Sequence, residues 1–373
     1  MARRFLLVTE EWAGSGHRMA AIAIQEALRE KQEVESARLV GGLQTASPAL
    51  REVSRIFYAN MLRYGQPIWQ RIYQQDKIWS TTLKKPVGKW LSSRLVDTLL
   101  EEKPEVVVAT HAYCLSALAE AKRQIGQTFH LVSVPTDFYV NHFWVHPAVD
   151  TYIVAHQQVA DQLHSAYRIH PERIRVHGIP VRRPFSMASH AAKAHWKQTL
   201  GLSPDLFTVL IAGGEGGYGN MESVVTELMK STEAMQIVVV TGKNEALLQR
   251  LRAVWEQNMT PHRLYIRGYE PELWRWLGAA DVYVTKPGGI SCAEALSMRT
   301  PMILYQPLPG QEQHNTAFLL RHGVAALAEQ PQMILGAVQQ MSRHEEWEKA
   351  IKRMEMLRKP ASSEQTAEYL LRL

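Results

Sequence analysis

The residues best suited by type and spacing to do chemistry lie between 285 and 315. Two glycines, Gly288 and Gly289, follow the apolar run Val282-Tyr283-Val284 and open a helical pattern from Ser291 to about Met298. Glycine lets backbone approach a ligand closely, and the unpaired N–H groups of a helix start favour phosphate. Glu294 lies three residues after Ser291, on the same helical face. A second apolar run, Pro301 to Tyr305, leads into a polar stretch read as a loop, with Gln311, Glu312, Gln313 and Asn315. Phosphate donors, a carboxylate able to meet vicinal hydroxyls and a group of amides and acids together suggest a nucleotide-sugar site. Singly, each has a plainer reading. Glu294 could be a first-turn acid stabilised by the helix dipole. Lys286 could be a surface lysine at a strand end or a positive charge beside phosphates. The amides could be ordinary loop polarity.

A second group sits in the first half of the chain. His17 follows Gly14-Ser15-Gly16 at the head of a helical pattern from Arg18 to about Lys31. A histidine titrates near neutrality and suits proton removal, and the positive end of a helix favours its neutral form. The alternative is a histidine that only holds a phosphate. Asp137 follows a strand-like run, His130 to Pro135. It could orient His17, act as the base itself, or cap the next turn. His142 and His146 are four apart, a zinc spacing on a helix, but no third ligand matches and Pro147 follows. Structural or acceptor contacts suit them better. Gly213-Gly214-Glu215-Gly216-Gly217 supplies a further set of N–H donors. No Asp-x-Asp pair occurs in the chain, so no metal or other cofactor is expected. Helix N-termini, backbone N–H groups and hydroxyls such as that of Ser291 would carry leaving-group charge instead.

The elements that must position these residues alternate between short apolar runs and amphipathic stretches. Strands are expected at 4–9, 34–39, 105–110, 130–135, 151–155 and 174–177, with helices between them. A boundary falls in 181–189, and a helix at 190–200 opens a second half. Strands follow at 208–212, 236–241, 264–266, 281–285 and 302–305, a sheet of about five. Residues 330–373 are helical by pattern. Strand, Gly-rich turn and helix in this order indicate α/β architecture with two Rossmann-like domains, residues 1–185 and 186–345, and a helical C-terminal tail, 346–373. Ligands of such sheets sit at the carboxyl ends of the strands, so the two domains are expected to face a central cleft holding the site.

Composition is ordinary for a globular chain: 373 residues, 46% hydrophobic, 21% charged, net charge +6. Two cysteines, Cys114 and Cys292, fit a reducing compartment and buried packing roles. Met1-Ala-Arg-Arg is basic, but Phe5-Leu-Leu-Val is too short for a signal peptide, and no run approaches ~20 apolar residues. A cytoplasmic protein is expected. Residues 49–96 differ from the rest. Arg51, Arg55, Arg63, Arg71, Lys77, Lys84, Lys85, Lys89 and Arg94 oppose only Glu52 and Asp76, an excess larger than that of the whole chain. Phe57, Tyr58, Tyr64, Trp69, Tyr73, Trp79 and Trp90 are interleaved. Basic residues with Trp and Tyr suit the headgroup level of an anionic membrane surface. The alternative is a helix pair with an aromatic packed side and a solvated basic side. No nucleic-acid motif accompanies the charge, so that partner is not expected.

The chain resembles the inverting GT-B glycosyltransferases that include the monogalactosyldiacylglycerol synthases and the bacterial processive diacylglycerol glucosyltransferases. The lipid-intermediate N-acetylglucosaminyltransferase of peptidoglycan synthesis is a more distant relative. The resemblance rests on Gly14-Ser-Gly-His-Arg-Met-Ala-Ala, on Gly213-Gly-Glu-Gly-Gly, and on Lys286-Pro-Gly-Gly-Ile-Ser-Cys-Ala-Glu-Ala with Pro309-Gly-Gln-Glu-Gln-His-Asn. It implies a UDP-sugar donor, a lipid acceptor hydroxyl, that of diacylglycerol, and peripheral attachment to the inner face of the cell membrane. It makes Glu294 the partner of the ribose hydroxyls and leaves His17 and Asp137 as the catalytic candidates, with His17 favoured as the base. Gln311, Glu312 and Asn315 would read the sugar. Tyr269, after Gly268, matches the family position whose backbone meets the uracil ring. Gly14 and Gly16 would face the acceptor, and 49–96 falls where the family carries its acceptor and membrane region. Two other functions fit the same scaffold: a UDP-sugar epimerase, which would need no lipid, and a non-catalytic UDP-sugar-binding regulator.

Overall fold

The computed structural model describes residues 2–10, 15–42, 92–126, 129–187, 193–217, 219–256 and 261–373. Gly14, Trp69, Trp79, Lys84, Lys85 and Trp90 lie outside the described residues, as does the basic aromatic stretch except for its last five positions. The chain forms two units. The first comprises Met1–Arg183, Leu308–Gln311 and Ala361–Leu373; the second comprises Pro184–Pro307 and Glu312–Pro360. Residues 346–373, read above as one tail, therefore divide between them.

The first unit carries β1 (Arg3–Thr9), β2 (Val34–Gly41), β3 (Val106–Ala109), β4 (His130–Ser133), β5 (Thr151–Val154) and β6 (Ile174–Val176). They form one parallel sheet in the order β2-β1-β3-β4-β5-β6. Continuous apolar runs such as Val106-Val107-Val108-Ala109 are buried throughout, as a parallel sheet covered on both faces requires. Helix Gly16–Arg29 covers one face with Ile24, Ala27 and Leu28. The helix Ser362–Leu370 joins this core through Ala367 and Leu370. Ser362 and Ser363 fix its start: Ser362 Oγ accepts from Val181 N at 3.2 Å, and Ser363 Oγ donates to Val181 O at 2.9 Å.

The second unit carries β7 (Phe207–Ala212), β8 (Met235–Val240), β9 (Arg263–Arg267), β10 (Val282–Thr285), β11 (Met302–Tyr305) and β12 (Ala325–Ala328). Their order is β12-β11-β10-β7-β8-β9, again all parallel. The sheet has six strands rather than about five. The added edge strand, Ala325-Ala326-Leu327-Ala328, lacks the β-branched residues that mark its neighbours and pairs in register with Met302–Tyr305. The polar stretch read as a loop is in fact the start of a helix, Gln311–Arg321. Phe318 and Leu319 are buried on it, which gives the helix its packed face.

Each sheet reverses direction once. β1 and β3 are neighbours from which the chain progresses to opposite edges; β7 and β10 are the same in the second sheet. Loops leaving such neighbours diverge and open a crevice at the carboxyl ends of the strands. In the second unit the loops after β7 and β8 meet backbone to backbone. Gly217 has φ +60°, and a Cβ there would sit 2.2 Å from Thr241 O; Gly242 has φ +59°, and a Cβ there would sit 2.3 Å from Glu215 O. Lys243 N donates to Glu215 O at 2.8 Å across the same contact.

Gly217→Ala or Gly242→Ala should each cost about 2–4 kcal/mol, from overpacking against backbone plus the left-handed conformation. At Gly214 (φ +72°) a Cβ would meet no atom within 4 Å, so Gly214→Ala should cost only about 1 kcal/mol. Urea midpoints of the three variants test this ranking; equal losses would show that the two loops are not clamped together.

Candidate active site

The second unit places two sets of backbone donors at its switch point. One is the loop Gly213–Gly217 after β7, where Gly217 N closes a turn on Gly214 O at 3.1 Å. The other follows β10. Gly288 is the N-cap of helix Gly289–Met298, with extended backbone and no side-chain cap, so the first N–H groups of that helix have no intrahelical partner. Gly288 N donates to Lys286 O at 2.9 Å, and Asn315 Nδ2 donates to Pro287 O at 2.9 Å. Asn315 is fully buried. Its amide therefore holds the Lys286-Pro287-Gly288 turn.

Around these donors the other expected residues are distributed as follows. Glu294 is buried at 9% exposure in the second turn of the helix. Ser291 is half-buried, and its side chain hydrogen-bonds the Tyr283 hydroxyl, which Thr285 also meets; burial pushes the Tyr283 phenol well above its ordinary range. Lys286 is half-buried at the end of β10. Gly268 precedes Tyr269, which is 53% exposed. Lys243 lies over the Tyr269 ring at 5.5 Å and pairs with Glu215. Lys243, which sequence reasoning left without a role, thus ties the Gly213–Gly217 loop to Tyr269. Glu312 is half-buried in the first turn of Gln311–Arg321. Gln311 clusters with the first unit, where its Nε2 donates to Asp137 Oδ2 at 2.7 Å.

The first unit gathers polar side chains at the carboxyl ends of β1, β3 and β4. His17 is the second residue of helix Gly16–Arg29. Thr136 Oγ1 lies 2.7 Å from its Nδ1. The Thr110 hydroxyl is 2.9 Å from the His17 carbonyl and 2.8 Å from Thr9 Oγ1. A hydroxyl has one proton, so Thr110 donates to the carbonyl and accepts from Thr9. His111 stands edge-on to the His17 ring, with centroids 4.8 Å apart at 89°, and Trp144 lies at 6.4 Å. The residue keeps some exposure, but its ring is enclosed. Desolvation lowers the His17 pKa to about 4, against a smaller opposing pull from the Thr110 backbone. The His111 pKa is lowered for the same reason, with the His17 charge as a second cause. His17 is therefore a neutral imidazole at physiological pH.

Asp137 is buried beside this group, yet the partner observed at its carboxylate is Gln311, and the hydroxyl at His17 Nδ1 belongs to Thr136. Glu10, at the end of β1, is buried and accepts from Cys114 Sγ at 3.6 Å, and burial with this nearby charge pushes the Cys114 thiol up. Thr110, His111 and Thr136 were not singled out from the sequence. Their signal is position: each stands immediately past, or within three residues of, a strand's carboxyl end. His142 packs edge-on against Tyr167 at 4.8 Å, and His146 Nδ1 accepts from Ala148 N at 3.2 Å, so both have structural contacts. Among the described residues no group of three or more His, Cys, Asp or Glu side chains could hold a metal ion, and no helix is long and apolar enough to cross a membrane.

Residues 17–181 match the family model described as monogalactosyldiacylglycerol (MGDG) synthase. A processive diacylglycerol β-glucosyltransferase of Bacillus cereus (strain B4264) is 30% identical over 325 residues, covering 87% of this chain and 81% of the relative. A Bacillus licheniformis protein of the same description is 28% identical over 337 residues, covering 90% and 86%. Among solved structures, Acinetobacter baumannii MurG aligns with TM-score 0.63 at 10% identity, covering 99% of this chain and 100% of that one. The glycotransferase of kitacinnamycin aligns with TM-score 0.63 at 12% identity, covering 100% and 99%. At these identities the likeness is one of fold.

Both buried rings bind protons less readily in the folded chain than in the unfolded one. For His17 the window runs from about 4 up to the ordinary value of 6.5. Within it the unfolded chain carries more protons, so stability rises with pH and is lost on acidification. The urea midpoint should fall as pH drops below about 6.5, and His111→Phe, which keeps a ring without a titration, should flatten part of that slope. An unchanged slope would show that the His111 ring is not desolvated as described.

Proposed function

Because the chain belongs to the family of the processive diacylglycerol β-glucosyltransferases and monogalactosyldiacylglycerol synthases, glycosyltransferases of the GT-B fold that act on lipid, we propose that it moves a hexose from a UDP-sugar to the free hydroxyl of diacylglycerol with inversion. The observation that carries the reading is the neutral, enclosed imidazole of His17 at the head of a helix. It can take a proton from an alcohol, whereas an imidazolium cannot.

The roles divide between the units. In the second, the N–H groups of Gly213–Gly217 and of the helix starting at Gly288 and Gly289 stabilise the departing diphosphate, with Lys286 adding positive charge. Ser291 donates there once its contact to Tyr283 gives way. Glu294 accepts both ribose hydroxyls. The Tyr269 backbone, after Gly268, meets the uracil ring. Gln311, Glu312 and Asn315 read the sugar hydroxyls; Gln311 also donates to Asp137, and Asn315 to Pro287 O. In the first unit, His17 removes the acceptor proton, and Gly14 and Gly16, just before it in sequence, belong to the acceptor side. A single displacement by that hydroxyl on the anomeric carbon breaks the bond to UDP and inverts the configuration. The absence of an Asp-x-Asp pair supports a reaction that needs no metal.

The acceptor is a membrane lipid, and the stretch 49–96 supplies basic residues with Trp69, Trp79 and Trp90 for an anionic surface, Lys84 and Lys85 among them. On this reading the enzyme is a peripheral protein of the inner face of the cell membrane.

A screen of UDP-glucose, UDP-galactose and UDP-N-acetylglucosamine against diacylglycerol in anionic vesicles should yield a glycolipid from one donor. EDTA should leave the rate unchanged. No lipid product from any donor, or release of an altered UDP-sugar without lipid, would overturn the reading. His17→Ala should lower kcat by about 10²-fold or more while UDP affinity stays within about twofold.

A further inference from the structure

We infer that Thr136 is the positioning residue of the proposed proton transfer: its hydroxyl accepts Nδ1–H of His17 and so leaves Nε2 as the atom that takes the acceptor's proton. The inference rests on the reading of His17 as the general base. It starts from the 2.7 Å separation of Thr136 Oγ1 and His17 Nδ1, a hydrogen bond that either group can donate. Thr136 is 3% exposed, just past β4, so its hydroxyl is held where it is.

The same residue is gripped at its main chain. The His17 carbonyl accepts from Thr110, which is engaged by Thr9. Three threonines, at the carboxyl ends of β1, β3 and β4, thus fix one histidine at both its backbone and its ring. The adjacent strands make this possible, because β1 pairs with β3 and β3 with β4. The rings of His111 and Trp144 lie beside it, with centroids 4.8 and 6.4 Å from that of His17. Among the described residues no side-chain hydrogen bond reaches Nε2; the ring's other hydrogen-bonding neighbour is the Thr110 backbone.

The chemistry of the partner also matters. A carboxylate at Nδ1 would favour the imidazolium and raise the pKa of the ring. A hydroxyl orients the ring without adding charge. The charged and titratable groups nearby are engaged elsewhere: Asp137 accepts from Gln311, Glu10 accepts from Cys114, and His111 is itself neutral. In a neutral imidazole one nitrogen carries the proton and the other accepts, and the hydrogen bond to the first decides which is which. With Nε2 as the base, Nδ1 carries the proton and the Thr136 hydroxyl accepts it, which sets the direction from which an alcohol can be deprotonated.

The test uses the full chain, diacylglycerol in anionic vesicles, and whichever UDP-hexose the donor screen selects. Thr136→Val removes the hydroxyl at nearly constant shape; it should lower kcat by about ten- to a hundredfold with donor KM within about twofold. Thr136→Ser should restore kcat to within about threefold. Thr136→Asp should move the acid limb of the kcat–pH profile upward, since a carboxylate now stabilises the imidazolium. Full kcat in Thr136→Val, or a Ser variant as impaired as Val, would overturn the inference. His17→Ala separates this from the underlying reading. An inactive His17→Ala beside a fully active Thr136→Val removes only the positioning role. A fully active His17→Ala removes the base, and the role of Thr136 with it.

Discussion

The constraint on which the rest depends is the reversal of strand order in an all-parallel sheet. Both faces of such a sheet are covered, so the strands themselves are apolar and carry no chemistry. Polar groups can gather only where strands end. Where neighbouring strands feed opposite edges, no connection crosses the gap between their ends. In the first unit this gap lies between β1 and β3, and Thr9, Glu10, Thr110 and His111 stand at it. In the second it lies between β7 and β10, and Gly213–Gly217 and Lys286–Gly289 stand at it. The two sites are therefore products of one topological rule applied twice.

The two crevices are chemically opposite. The second is built from backbone: paired glycines, a helix start without a side-chain cap, and loops that touch through Gly217 and Gly242. Its partial charges are positive and fixed, which suits a diphosphate. The first is built from side chains that are neutral where they meet His17: Thr136 at the ring, Thr110 at the carbonyl, His111 and Trp144 around it. The carboxylates of Glu10 and Asp137 are buried in the same unit but have Cys114 and Gln311 as partners. Desolvation of the enclosed ring keeps the imidazole uncharged.

Much of this was legible in the sequence, because apolar runs bounded by glycine give away parallel strands. Eleven of the twelve strands among the described residues follow from such runs; the missing one, Ala325–Ala328, is alanine-rich and acquires its conformation from pairing with β11. His17, Glu294 and the glycines could be named because short motifs place them. Thr136 could not, since the residue it serves is 119 positions away. The contact of Asp137 with Gln311 was not legible either, since the two are 174 positions apart. The contact of Asn315 with Pro287 was likewise not legible, since it depends on the helix Gln311–Arg321.

The low proton affinity of His17 bears on how the proposed reaction shares its work. A base with pKa about 4 is in its working form across the physiological range, but its pull on an alcohol proton is weak. Such a base cannot generate an alkoxide ahead of bond formation. The proton must move as the new glycosidic bond forms, when the acceptor oxygen becomes acidic through its bond to the anomeric carbon. Bond formation in turn depends on departure of the diphosphate, which the N–H groups of Gly213–Gly217 and of the helix at Gly289 promote. On this account the larger share of the barrier is lowered by the backbone of the second unit. The demand on His17 is then one of aim more than strength, and aim is what three buried threonines and two aromatic rings can supply.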